Sequence, residues 1–388
     1  MAEKSWTLTD LPTGVFVEAI DIDAGQVGDK VNGGRVSKRT LRGGLSDGVD
    51  VIHVDNGSFS FDVLPTRGIG VWRARHGETD IGWQSPVRGP VHPQFVAVGE
   101  SSGLGWLDGF DELLVRCGLE SNGAPEFDDQ GRVKFPLHGR IANKPAHRVS
   151  VHVDGDAGNV SVTGVVEETR FHFFKARMTS TISTRPGETG FRIRDEIQNL
   201  SGSPLEFQML YHVNFGVPLL DGGSRVVAPI KAVVPRNAHA AAGVGTWSSY
   251  AAEQAGFEEQ VYFLDLLSES SGATLVLLKN AHGTQGASLA FNKKQLPCFT
   301  VWKNTTSRED GYVTGLEPGT NFPNPRSYEG EQGRVVKVAA GGKFALEVAL
   351  QFHPDAASVS AAESRVATIQ AGMEPKVYDK PQPKWCAP

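Results

Sequence analysis

Apolar and polar residues alternate along much of the chain. Val149, Val151 and Val153 are each separated by a polar neighbour, and Val160 and Val162 resume the pattern after the turn-rich stretch Asp154-Gly-Asp-Ala-Gly-Asn159. A period of two sends successive side chains to opposite faces of a strand, so this segment predicts a hairpin. The same alternation runs through 174–184, 191–197 and 207–215, punctuated by Arg185-Pro-Gly-Glu-Thr189 and Asn199-Leu-Ser-Gly-Ser-Pro204. Consecutive strands joined by short turns describe an antiparallel meander. Further strands are predicted over 58–64, 69–75, 273–279, 286–291, 296–303, 310–317, 333–339 and 343–352. Helical spacing is clear once, where Val359, Ala362, Val366 and Ile369 share a face. There Ser360 and Glu363 read as a capping box, and Gly372 stands where a C-terminal glycine belongs. A short helical turn is expected near Asp108–Leu114, and the four prolines of 375–388 predict an extended tail.

No repeat or linker interrupts this pattern. The expected architecture is all-β, one large antiparallel β-sandwich over 1–388 with one or two short helices. Its parts are N-terminal strands and loops (1–129), a main sandwich carrying the site (130–352), and a C-terminal helix and tail (353–388). Composition sharpens this. The 388 residues include 45 glycines, in keeping with many tight turns. Net charge is −6, and no basic run appears that would neutralise a nucleic-acid backbone. Three widely separated cysteines, Cys117, Cys298 and Cys386, suit neither a disulfide framework nor a structural zinc site. No segment reaches the length of a membrane span. The expectation is a cytoplasmic protein without nucleic-acid or membrane partners.

Four segments concentrate polar chemistry. In 207–215, Phe207, Met209, Tyr211, Val213 and Phe215 form an apolar face, while Gln208, Leu210, His212 and Asn214 form the other. That second face reads either as solvent-exposed or as the floor of a cleft. His138 precedes a glycine that admits close approach, with Arg140 and Asn143 nearby. Glu317 ends an apolar strand and enters a loop stiffened by Pro318, Pro323 and Pro325, which also carries Asn321, Asn324 and Arg326. Arg67 precedes two glycines and offers a planar fork of donors, to a ligand or to a neighbouring acid. Trp83, Trp106 and Trp302 are flat surfaces for either a sugar or the core.

Leu137-His138-Gly139, Tyr211-His212-Val213-Asn214-Phe215 and Leu316-Glu317-Pro318 together resemble, in order, the two-histidine and glutamate segments of the galactose mutarotase-like superfamily, the aldose 1-epimerases. Pro65-Thr-Arg-Gly-Ile-Gly70, Ile81-Gly-Trp-Gln-Ser-Pro86 and Leu114–Gly123 resemble a poorly characterised branch of it. The resemblance implies a β-supersandwich that acts on a monosaccharide hemiacetal without a cofactor. Glu317 would be the general base, His212 the general acid, and His138 would bind and polarise nearby. Arg67, Arg140, Asn214, Lys303, Asn321 and Arg326 are the expected substrate-binding residues. Gly319 replaces a glutamine common in the superfamily. The four cations among the substrate-binding set also leave open an isomerase or lyase acting on an acidic or oxidised sugar. Two other readings stay open: a non-catalytic sugar-binding protein, and a metal held by His138, His212 and Glu317.

Overall fold

The computed structural model describes residues 2–388. Two large sheets account for most of the chain, one of ten strands and one of fourteen. The ten-stranded sheet holds the meander read from the sequence: Arg148–Asp154, Asn159–Thr169, Lys175–Thr184 and Gly190–Asn199 follow one another with antiparallel pairing. The fourteen-stranded sheet runs through Gln260–Leu266, Cys298–Asn304, Val313–Gly319, Leu205–Phe215, Leu114–Leu119, Gly70–His76, Ser60–Leu64 and Asp50–Asp55 as neighbours. Its pairings are antiparallel except where Lys376–Val377, in the tail, runs parallel to Ile230–Pro235.

The main core lies between the sheets. Val151, Val162, Met178 and Ile193 from one sheet meet Ile52, Phe61, Tyr211 and Val213 from the other. One buried charge pair crosses this core. Arg116 pairs with Asp195 at 2.5 Å, and Tyr211 donates to the same carboxylate at 2.8 Å. Both partners are withdrawn from water, so the pair fixes how the sheets sit on one another more than it stabilises them.

Several local expectations need correction. The C-terminal helix is Ala356–Gln370, and it buries the four residues of the expected face. Its capping box, however, is formed by Asp355 and Ser358. Glu363, read as part of the box, instead reaches Lys279. The first left-handed residue after the helix is Ala371, one before Gly372. The turn near 108–114 is a 3-10 segment at Gly105–Gly109, and Leu114 begins a strand. Two short helices, Ala238–Ala242 and Arg326–Glu331, escaped the periodicity because five or six residues give barely more than one turn. The tail is packed: Trp385 stacks on Phe322 with ring centroids 5.2 Å apart, and Cys386 is buried.

Candidate active site

The site grows from one cross-strand register. In the antiparallel pair Leu205–Phe215 and Val313–Gly319, Val213 lies opposite Leu316, which sets His212 opposite Glu317. The alternation that sends Tyr211 and Val213 into the main core turns His212 and Glu317 to the other face. There His212 Nε2 stands 3.2 Å from Glu317 Oε1. Gly315, on the same face, makes room for them. A Cβ at that position would lie 2.6 Å from Glu317 Oε1 and 2.9 Å from His212 Cε1.

Asn214 sets the histidine's tautomer. Its Nδ2 donates to the carbonyls of Glu112 (2.9 Å) and His212 (3.3 Å), so its Oδ1 is the atom 2.7 Å from His212 Nδ1. Nδ1 therefore carries a proton, and Nε2 is left to face Glu317. His138 is held in the same sense, since its Nδ1 donates to the carbonyl of Asn122 at 3.0 Å. Its backbone is left-handed (φ 56°) and the following Gly139 is too (φ 73°). A Cβ on Gly139 would lie 2.0 Å from the Ser121 carbonyl oxygen, so this loop requires glycine. The two imidazoles approach edge to face with centroids 5.4 Å apart.

Aromatic rings wall the site. Trp106 lies 4.6 Å from the His138 ring, and Phe110 and Trp302 lie 5.2 and 5.4 Å from His212. His212 is 4% exposed and Glu317 2%. Burial disfavours charge and sets the acid–base balance. It pushes the Glu317 carboxyl well above the usual carboxylate range. It pulls His138 down to about 4, and it pulls His212 well below an ordinary imidazole, helped by repulsion from His138. Glu317 Oε1 makes no aligned hydrogen bond despite its closeness to Nε2. A buried acceptor without a partner is costly, and a ligand hydroxyl would satisfy it. No group of three or more His, Cys, Asp or Glu among the described residues is placed to hold a metal ion.

A family model described as a domain of unknown function (DUF4432) matches residues 46–352. The chain belongs to this family. A "putative aldose 1-epimerase" of Klebsiella pneumoniae, whose crystal structure is known, is 33% identical to this DUF4432 protein. That alignment covers 98% of this chain and 99% of the other, with a TM-score of 0.94. A galactose mutarotase-like protein of Clostridium acetobutylicum (14% identity, 82% and 98% coverage, TM-score 0.57) shares the fold. So does a galactose 1-epimerase of Lactobacillus acidophilus (12% identity, 81% and 97% coverage, TM-score 0.53). The architecture is the galactose mutarotase-like one, in a poorly characterised branch. No curated protein matches the chain.

Most of the expected substrate-binding residues of this DUF4432 member have other employment. Arg67 is buried, with Nε 2.6 Å from Glu112 and its remaining nitrogens on the carbonyls of Val91 and Gly109 and on Asn143 Oδ1. It has no face left for a ligand. It pins the 105–112 segment that carries Trp106 and Phe110, and the Glu112 carbonyl in turn holds Asn214 and Trp83 Nε1. Arg67 thus acts on His212 through two intermediates. Lys303 sits opposite Thr314, so it projects from the reverse face of the sheet to Glu317. It donates to the carbonyls of Thr246 and Ser249, and burial lowers its pKa to about 8. Asn321 is fully buried in a reciprocal amide pair with Asn122. Arg326 is spent on Glu206 and the Glu120 carbonyl. Arg140 is half-buried and acts electrostatically on Glu120. Asn214 lies in the site, where it orients His212.

The structure adds residues that sequence reading missed. The charges that reach both His138 and Glu317 are those of Glu259 and Arg236. They pair at 2.9 Å, and Glu259 also accepts from Trp302 Nε1 at 2.6 Å. Both are partly exposed, at the rim, and anchor the Trp302 wall. Neither stands in a recognisable motif. Gly315, by contrast, lies two residues before Glu317 in a strand, and that spacing was a usable signal.

Proposed function

We propose that the protein is an isomerase of the aldose 1-epimerase type, acting on the hemiacetal of a monosaccharide. The observation that carries this reading is the opposition of His212 Nε2 and Glu317 Oε1 at 3.2 Å, in a buried site with the tautomer of the neutral ring fixed by Asn214. A hemiacetal carbon bears two oxygens, a hydroxyl and the ring oxygen. An acid and a base set this close address both at once.

In the charged form of the pair, the Glu317 carboxylate takes the proton of the anomeric hydroxyl. His212 Nε2 gives its proton to the ring oxygen as the carbon–oxygen ring bond breaks. The product is an open-chain aldehyde, with a neutral carboxylic acid beside a neutral imidazole. Burial favours that neutral form, so the buried setting stabilises the open-chain stage of the cycle. Rotation about C1–C2 presents the other face of the carbonyl. The proton movements then reverse, with Glu317 returning its proton to the new anomeric hydroxyl and His212 recovering its own. His138 Nε2, neutral above about pH 4, accepts a substrate hydroxyl beside the pair. No proton is consumed, and no cofactor is required. Each of the acid and base roles contributes roughly 10²–10⁴ in rate.

Of the four cations on which an acidic-sugar reading rests, Arg67, Lys303 and Arg326 are tied up in the fold and the charge of Arg140 acts on Glu120, so we take a neutral monosaccharide as the substrate class. NMR exchange spectroscopy between anomers of a panel of free sugars and uronates tests the proposal. Accelerated exchange that Glu317→Gln reduces at least a hundredfold supports it. Saturable sugar binding with no acceleration for any sugar would identify a non-catalytic binding protein instead.

A further inference from the structure

A second constellation lies on the same outward face of the fourteen-stranded sheet, far from the first. Ser37, His53 and Asp62 stand opposite one another on three adjacent strands, Arg35–Thr40, Asp50–Asp55 and Ser60–Leu64. Asp50–Asp55 is four strand steps from Leu205–Phe215 in the sheet order. At a spacing of about 4.8 Å per step this is roughly 19 Å, beyond the span of one monosaccharide.

The inner partners of these residues, Val36, Ile52, Val54 and Phe61, are in the main core. The outward set lines an open groove of about 460 Å³. His53 Nδ1 is 2.7 Å from Asp62 Oδ1, and Arg73 Nε is 2.8 Å from Asp62 Oδ2. Asp62 is 6% exposed and is the one well-buried carboxylate lining the groove, with both of its oxygens taken. The carboxylate fixes the proton of His53 on Nδ1, so a protonated ring presents a second N–H, at Nε2, to the groove. The bond to Asp62 also holds the imidazole's affinity for a proton above its ordinary value. Arg73 offsets Asp62, and Asp55, two residues along the same strand, is the other carboxylate whose charge reaches His53, so the groove is net positive when the ring is protonated only with Arg39 counted beside it. Arg39 lines the groove beside it with its side chain in solvent, and Ser37 and Ser60 add hydroxyls. The remaining lining charges, Arg75 and Asp80, face each other at 3.4 Å.

We propose that this groove binds a tetrahedral oxyanion of the phosphate class, held by His53 Nε2–H, the Arg39 guanidinium and the Ser37 and Ser60 hydroxyls. Donors on one face of three adjacent strands, with the one buried carboxylate already sealed, suit an anion with several acceptor oxygens. Serine, histidine and aspartate also occur in this order in hydrolytic triads. Here the bond His53 makes is to Asp62, and none joins it to Ser37, so no hydroxyl is activated as a nucleophile and binding is the role the geometry supports.

The test is a titration of the full chain with inorganic phosphate and, separately, with a hexose 6-phosphate. The His53 ring resonances are followed by NMR at constant ionic strength balanced with sodium chloride. A saturable shift with either phosphate, absent with chloride alone, is expected. Arg39→Ala should weaken binding roughly tenfold or more, the loss of one charge-assisted contact. His53→Gln, followed by calorimetry, should abolish it; Arg39 is exposed, and a glutamine amide at 53 can still donate to Asp62, so both variants keep the fold. Tighter binding of the sugar phosphate would place a phosphorylated sugar in the groove, and equal binding would assign it to free phosphate. A shift that follows ionic strength alone, or binding that persists unchanged in Arg39→Ala, overturns the proposal. Neither outcome depends on anomer exchange at Glu317.

Discussion

Replacing Gly315 by alanine should disable the acid–base pair without touching either member. Gly315 sits in ordinary strand geometry, so an alanine backbone is unstrained there and the effect is purely steric. The added methyl would lie 2.6 Å from Glu317 Oε1, 2.9 Å from His212 Cε1 and 3.3 Å from His212 Nδ1. Non-bonded heavy atoms prefer about 3.5–4.0 Å, so the carboxyl must retreat by about 1 Å and the ring by somewhat less. The ring cannot retreat freely. Asn214 holds Nδ1 at 2.7 Å, and Phe110 and Trp302 pack on either side. Overpacking of this kind costs about 1–3 kcal/mol. Loss of the aligned pair should cost about 10²–10⁴ in anomer exchange. Thermal unfolding and exchange NMR measure the two effects. The His212 imidazole N–H resonance reports the local change with no sugar present. Gly202→Ala, where the methyl meets nothing within 4 Å, is the control and should behave as wild type. Wild-type Tm, exchange rate and His212 resonance in Gly315→Ala would refute the steric reasoning.

Arg67→Met should destabilise by about 3–5 kcal/mol in urea unfolding, because it strands the buried Glu112 carboxylate; adding Glu112→Leu should recover part of the loss. The pH dependence of stability should have two opposing limbs. The unfolded chain protonates His138 below about 6.5 whereas the folded one resists until about 4, so its burial costs stability as pH falls through that window, and His138→Gln should flatten this limb. Glu317 acts in the other direction: its raised folded pKa makes burial increasingly unfavourable as pH rises above about 4.5, so Glu317→Gln should be more stable than wild type at pH 8 while inactive. All three thiols are buried and unpaired, so none should react with a thiol reagent in the native state and all three should react after denaturation.

The all-β class was legible from alternation alone, because a half-buried strand writes its two faces into every second residue. The meander of 148–199 and the helix face of Val359, Ala362, Val366 and Ile369 were read for that reason. Leu114–Leu119 was not, since both of its faces are covered, and Asp50–Asp55 was not, since its polar residues interrupt the period. The triplet His138, His212 and Glu317 was named from motif order, and the structure sets His212 beside both of the others.

The binding residues around them were a different matter. A sequence shows that Arg67, Lys303, Asn321 and Arg326 lie near motifs, but which face each projects from, and which carbonyl or carboxylate meets it first, depends on pairing between distant strands. Lys303 is separated from Glu317 by the parity of a cross-strand register. Arg67 is consumed by Glu112, 45 residues away. Local alternation determined what this chain folds into, and motif order singled out the histidines and the glutamate proposed as its acid and base. Only tertiary packing decided which donors stay free, because burial makes the nearest partner compulsory for every charge it encloses.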